Sequence, residues 1–266
     1  MKVLRKGDRG DEVKTMQQAL ADKGYELAVD GIFGPCTEKV LRSYQRASRL
    51  FPDGICGPKT WAMLLSDGDN KLAIIEAFIS THITRAPNRK LKFIAVHYTA
   101  GASSAKGSAL NTRETFIKRR ASADFVVDDG QIVQINPDVR NYYCWGVGDP
   151  KNIYSGGGSL FGVAGNRNTI SVEICCNLKK GTSADIPNHE GWTFTDAALE
   201  NALKLIRYLM VEYSIPKANV VRHYDVSGKV CPGVIGWNNA PRYDTAGKPT
   251  KLYSDSSKWE EFYNKI

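Results

Sequence analysis

An eight-residue pattern occurs twice near the start of this chain: Asp30-Gly31-Ile32-Phe33-Gly34-Pro35-Cys36-Thr37 and, offset by 23 residues, Asp53-Gly54-Ile55-Cys56-Gly57-Pro58-Lys59-Thr60. A repeat this short is one supersecondary unit, which has to stack on its neighbour to bury an apolar face. Each copy reads as a turn entering a helix. Asp-Gly supplies side-chain hydrogen bonding and a residue tolerant of positive φ, and the second Gly permits close backbone approach. Thr37 and Thr60 offer hydroxyl N-caps. Upstream, Val13, Met16 and Leu20 recur at helical spacing between Asp11 and Lys23, and Gly24 stands where a helix-ending glycine belongs. Val40, Leu41 and Tyr44 mark a second helix, and Trp61, Leu64 and Leu65 a third. Residues 1–66 are therefore expected to form a small three-helix domain.

The polar, glycine-containing stretch Ser66-Asp67-Gly68-Asp69-Asn70 reads as a linker, assigned to residues 67–70. The second domain then covers residues 71–266. It is expected to open with a helix from Leu72 to Ile79, turn at Ala86-Pro87-Asn88, and run the strand Phe93-Ile94-Ala95-Val96 into His97. Further strands are expected at 124–127, 132–135, 170–175 and 220–221. One long helix stands out, capped by Thr195, with Phe194 placed to staple it. Its buried stripe is Leu199, Ala202, Leu203, Ile206, Leu209, Met210 and Tyr213. Strands interleaved with helices imply an α/β domain, a mixed central sheet flanked by helices.

Composition bounds the partners. The 266 residues are 42% hydrophobic and 24% charged, ordinary for one or two globular domains. No run of about 18 apolar residues occurs, so no membrane insertion is expected. The start, Met1-Lys2-Val3-Leu4-Arg5-Lys6-Gly7-Asp8, has charge but no apolar core of a secretory signal, so export is expected to use another route. A net charge of +8 favours an anionic partner or simply serves solubility. No zinc-finger, RRM-type or helix-turn-helix signature accompanies it, so nucleic acid is not the expected partner. The six cysteines, at 36, 56, 144, 175, 176 and 231, are too few and too scattered for a disulfide scaffold. They suggest reduced thiols or a metal ligand.

Two histidines follow apolar strands. His97 opens the small-residue turn Tyr98-Thr99-Ala100-Gly101, and His223 follows Val220-Val221-Arg222. Eight residues after His223 comes Cys231, reached through a glycine-bearing loop that can fold back toward the same point. Two imidazoles and a thiolate leave one tetrahedral position open, which is how a catalytic Zn2+ site is built. His82 and His189 match no metal motif. Cys175 and Cys176 end a strand and are expected to face opposite ways, one of them buried. Trp145 has two open readings, stacking on a sugar ring as a substrate-binding residue or filling the core.

These motifs carry two resemblances. Gly10, Val13, Gln17-Gln18, Leu20, Gly24-Tyr25, both Asp-Gly repeats, Tyr44-Gln45 and Thr60-Trp61 resemble the peptidoglycan-binding module found beside many wall hydrolases. The stretch Arg222 to Gly233, with Phe93 to Ala100, resembles the two metal motifs of the zinc N-acetylmuramoyl-L-alanine amidases, a family that includes phage lysozyme-type amidases and peptidoglycan recognition proteins. That likeness implies His97, His223 and Cys231 as zinc ligands. It implies Glu173, in Asn168-Thr169-Ile170-Ser171-Val172-Glu173-Ile174, as the acidic residue that activates water. Lys229 corresponds to the family's cationic residue two places before the last ligand. Two departures stand out. Ala123 and Asp124 occupy the place where some relatives carry a catalytic Tyr, which leaves acid–base work to Glu173, and Gly146 follows Trp145 where the family often shows His.

The resemblance implies bacterial peptidoglycan as the partner and the bond between N-acetylmuramic acid and L-alanine as the target. Delivery would follow a phage endolysin passing a holin, or an autolysin exported otherwise. Two alternatives accompany it: a non-catalytic recognition protein, and a zinc peptidase acting within the stem peptide.

Overall fold

The structure, a computed structural model, describes residues 2–48, 50–65, 72–101, 103–148, 158–180, 191–233, 235–238, 241–243, 249–252 and 256–266. The chain divides into two compact units, Met1–Lys71 and Leu72–Ile266. Residues 67–70, read as a linker, lie outside the described residues, as does His189.

In the first unit the helical periodicity produces α1 (Asp11–Asp22), α2 (Pro35–Ala47) and α3 (Pro58–Leu65). Gly24 follows the end of α1 at φ 84°. Val13, Met16, Leu20, Phe33, Leu41, Tyr44, Cys56, Trp61 and Leu64 form one buried cluster, whereas Leu65 is exposed. The expected threonine caps are not formed. Pro35 and Pro58 take the first helical position, where a missing N–H costs nothing and the fixed φ suits the helix. Each helix thus starts two residues before its threonine.

Thr37 and Thr60 are instead buried members of a duplicated polar network. The Gln17 amide donates to Asp30 Oδ1 (2.8 Å), the Ile32 carbonyl (3.1 Å) and Thr37 Oγ1 (3.2 Å), and its oxygen accepts from the Gly31 N–H (2.8 Å). Gln45 does the same with Asp53, Ile55, Thr60 and Gly54, at 2.9, 3.0, 3.1 and 2.9 Å. Each glutamine spends its whole amide on the Asp-Gly turn that follows, so a buried polar group is satisfied and the turn is fixed.

The second unit opens on a strand. The segment expected as a helix over Leu72 to Ile79 contains instead β1 (Ile74–Glu76), extended and parallel to a strand at Ile132–Gln134. A short apolar run with adjacent isoleucines does not distinguish helix from strand. Here an open sheet edge decides: the Ala77 and Ile79 N–H groups donate to the carbonyls of Gln134 and Ile135.

The elements that follow, in chain order, are β2 (Ile83–Arg85), β3 (Phe93–Tyr98), α4 (Ser108–Arg119), β4 (Phe125–Val127), β5 (Ile132–Gln134), β6 (Tyr142–Cys144), β7 (Thr169–Ile174), β8 (Asn177–Leu178), β9 (Trp192–Thr193), α5 (Asp196–Glu212), β10 (Val220–Arg222), α6 (His223–Ser227), β11 (Pro241–Tyr243), β12 (Pro249–Leu252) and α7 (Ser257–Asn264). The central sheet runs β1-β5-β4-β7-β3-β10. Only the β4–β5 pairing is antiparallel, so the sheet is mixed, as its interleaved elements imply.

Alternation along β3 and β7 separates the two faces. Ile94, Val96, Ile170, Val172 and Ile174 pack with Ala198, Ala202, Leu205, Ile206 and Leu209 of α5 and with Trp259 and Phe262 of α7. Phe93 and Ala95 face the other way, with Val147, Ala164, Val221 and Val226. Thr195 caps α5 as expected, accepting from the Ala198 N–H at 3.2 Å. The helix α4 escapes sequence reading because only Ala109 in it is buried, so it carries no apolar stripe. Cys175 and Cys176 do face opposite clusters, but both are fully buried. All six cysteines are free.

Candidate metal centre

Register alone brings three of the expected residues together. On the parallel pair β3–β7, His97 lies opposite Glu173. On β10–β3, Arg222 lies opposite Val96, so His223, the next residue, comes level with His97 at the C-terminal ends of the strands. Open α/β sheets place ligands at that edge. His97 continues the face of Phe93 and Ala95, away from α5, and Glu173 and His223 share it by the same two-residue alternation.

The segment after His223 is not the open loop expected. It makes the short helix α6, ended by Gly228 at φ 76°, and the Tyr224 N–H donates to the Cys231 carbonyl at 2.9 Å. That closure returns Cys231 to the site. One nitrogen from each of His97 and His223 and the Cys231 sulfur lie within 4.8 Å of one another, all buried. Cys231 Sγ is 3.6 Å from His97 Nδ1, and the two imidazole centroids are 4.6 Å apart.

The donor set fits a small dication. Tetrahedral ligands at about 2.0 Å (nitrogen) and 2.3 Å (sulfur) sit about 3.6 Å apart. Burial holds His97 well below its usual range and takes His223 down to about 3, so both imidazoles are neutral, the form that ligates. Burial pushes the Cys231 thiol up to about 12, with Glu173 acting the same way. Such a thiol ionises only against a cation. His223 Nδ1 is buried with no hydrogen-bond partner among the described residues.

Glu173 stands at the edge of this group. Its Oε1 is 3.9 Å from His97 Nδ1, and its Oε2 is buried without a partner among the described residues. Burial raises its carboxyl to about 8, and Lys229 opposes that rise. Lys229 itself is exposed, yet its charge acts on His97, His223, Glu173 and Cys231 alike.

Asp124, where some relatives carry Tyr, is wholly engaged elsewhere. It accepts from the Ser171 N–H (2.7 Å) and the Asn136 amide (2.6 Å), and lies 3.9 Å from the buried Arg89 guanidinium. Trp145 does not fill the core. It is 39% exposed, its Nε1 donates to Thr84 Oγ1 at 2.9 Å, and its ring lies against His82. The missing histidine at Gly146 has a steric cause: a Cβ there would stand 2.2 Å from Ser171 Oγ.

Sequence reading passed over two residues that shape the site. The Val147 backbone raises the proton affinity of His223, and the Tyr98 backbone lowers that of Cys231, each against the effect of burial. Neither carries a side-chain signal, because each acts through its main chain. Tyr98 also covers Gly233, where a Cβ would stand 2.3 Å from the phenolic oxygen.

Residues 87–234 match the family described as N-acetylmuramoyl-L-alanine amidase, and residues 9–64 one described as putative peptidoglycan binding domain. The amidase CwlH of Bacillus subtilis (strain 168) is 34% identical over 152 residues, covering 55% of this chain and 50% of that protein. XlyA of the same organism is 34% identical over 164 residues, covering 60% and 46%. The chain thus spans about half the length of these curated relatives. A solved structure described as a mutant endolysin from Bacillus subtilis is 31% identical, covers 73% of this chain and 97% of its own, and gives a TM-score of 0.46. With over half its residues matched to that one family, this chain belongs to the N-acetylmuramoyl-L-alanine amidase family.

Proposed function

We propose that this chain is a zinc-dependent amidase that hydrolyses the bond between N-acetylmuramic acid and L-alanine in bacterial peptidoglycan. The observation that carries the reading is the buried His97, His223 and Cys231 group with Glu173 beside it. His97, His223 and Cys231 would hold the ion. Zinc, when bound, supplies Lewis-acid activation of water and of the scissile carbonyl. Glu173 takes the proton of the attacking water and returns it to the departing alanine nitrogen, a role suited to a carboxyl whose proton affinity is raised toward neutral pH. Lys229 sets a positive charge against the negative charge that grows on the carbonyl oxygen. Trp145, exposed and two residues before Val147, whose backbone acts on His223, is assigned to sugar contact. The choice of bond rests on family membership.

Digestion of purified peptidoglycan tests this reading. New alanine amino groups without new reducing sugar ends are expected, and a chelator should abolish them. Amines released only from within the stem peptide would identify a peptidase instead, and binding without any new ends a recognition protein.

The module at residues 1–66 is assigned to wall affinity, since it has no histidine and no metal set among its described residues. No helix among the described residues is long and apolar enough to cross a membrane. Action outside the cytoplasm follows from the substrate. A chain starting at Lys71 is expected to cleave small soluble muropeptides at the full-length rate but to sediment poorly with intact wall. Tethering raises local substrate concentration only for a polymer. Equal losses on both substrates would show that residues 1–66 support the catalytic fold instead.

A further inference from the structure

The matched family segment ends at residue 234, yet the chain beyond it reaches back to the residues flanking two candidate ligands. Arg222 immediately precedes His223. Its Nε and Nη2 donate to the two oxygens of Asp225 at 3.0 and 2.6 Å, and its Nη1 donates to the Trp237 carbonyl at 2.8 Å. The Asp225 carboxylate also accepts the Arg222 N–H at 2.8 Å, which fixes the first turn of α6. The guanidinium lies 5.5 Å from the Tyr224 ring centroid and 5.6 Å from that of Trp259 on α7. A planar fork held between rings and bonded on three nitrogens has one orientation.

Trp237 is itself held from α7. Its ring packs on Phe194, Trp259 and Phe262 at 4.9, 6.0 and 5.1 Å. The Gly236 carbonyl accepts the N–H groups of Lys258 (3.0 Å) and Trp259 (3.2 Å). The Asn238 amide donates to the carbonyl of Pro232, the residue after Cys231. With the Tyr224-to-Cys231 bond, these contacts close a circuit through both ligand-bearing turns.

We propose that Gly236–Asn238 and α7 form a buttress that holds His223 and Cys231 in ligating position, with Arg222 as the positioning residue that transmits it. This inference rests on the zinc reading above. Metal sites tolerate ligand misplacement of only about 0.5 Å, and loss of outer contacts commonly lowers metal affinity by about 10–100-fold. The buttress therefore acts on affinity and ligand geometry without touching substrate.

The test uses the full chain, stripped of metal, with zinc affinity measured by competition against a chromophoric chelator. Cobalt(II) binding, read by its thiolate charge-transfer absorption, reports whether Cys231 ligates. Arg222→Lys keeps the charge and loses the fork; Trp259→Leu keeps an apolar contact and loses the ring. Both are expected to bind zinc about 10–100-fold more weakly and to give reduced cobalt–thiolate absorption. Tyr208→Ala, on the exposed side of α5, should match wild type. Wild-type affinity and cobalt spectra in Arg222→Lys would overturn the proposal, even with a lowered melting temperature, because a merely structural contact moves only the latter. If Trp259→Leu unfolds, Arg222→Lys carries the test, since it leaves the aromatic cluster intact. A wild-type protein that binds neither metal would overturn the zinc reading and this proposal with it.

Discussion

Glu173→Gln is expected to lower turnover on soluble muropeptide by roughly 10²–10⁴-fold while metal content stays unchanged. Glutamine keeps the shape and hydrogen-bonding capacity of the side chain and removes its proton affinity. The side chain is 12% exposed, so substrate and water reach it, and its burial raises the carboxyl to about 8. Lys229 opposes that rise, and a dication in the site would act in the same direction. That direction favours the ionised carboxylate, the form that can take the water's proton and later give it back. No second carboxylate can substitute from the adjoining strand, because Asp124 is bonded to Ser171 and Asn136. Turnover and elemental zinc analysis on the same samples decide the matter. Near-normal turnover in Glu173→Gln would remove Glu173 from the chemistry.

His97→Ala is expected to lose most of the zinc that the wild-type chain holds, roughly one ion per chain. Losing a ligand should cost more than the about 100-fold that outer contacts cost. The effect is large because His97 is the hub of the site: it lies 3.6 Å from Cys231 Sγ, 3.9 Å from Glu173 and against the His223 ring. Its removal also empties a fully buried strand position, so some loss of stability should accompany it. Elemental analysis beside wild type separates the two effects, provided circular dichroism shows the sheet intact. Full zinc occupancy in the variant would exclude His97 as a ligand.

Much of this molecule was legible in the residues. The two Asp-Gly repeats announced α2 and α3 because turn chemistry is local, and the stripes of α1 and α5 announced a third helix and a covered sheet because amphipathic period is local too. His97, His223 and Cys231 could be named together because each follows a recognisable strand or turn. Beyond that, long-range pairing overrode two local expectations, the helix over Leu72 to Ile79 and the threonine caps, and resolved the open reading of Trp145. Whether Leu72 to Ile79 is helix or strand depends on an edge at β5 that lies about sixty residues downstream. The fate of Thr37 and Thr60 depends on glutamines one helix away, which take their hydroxyls as partners before any cap can form. Trp145 reads equally well as core or surface until Thr84 and His82 are placed beside it. Most of all, the level meeting of His97 with Glu173 and His223 is a fact of strand register. Register is set by which apolar faces the whole sheet buries, a sum over many distant contacts that no single segment of the chain contains.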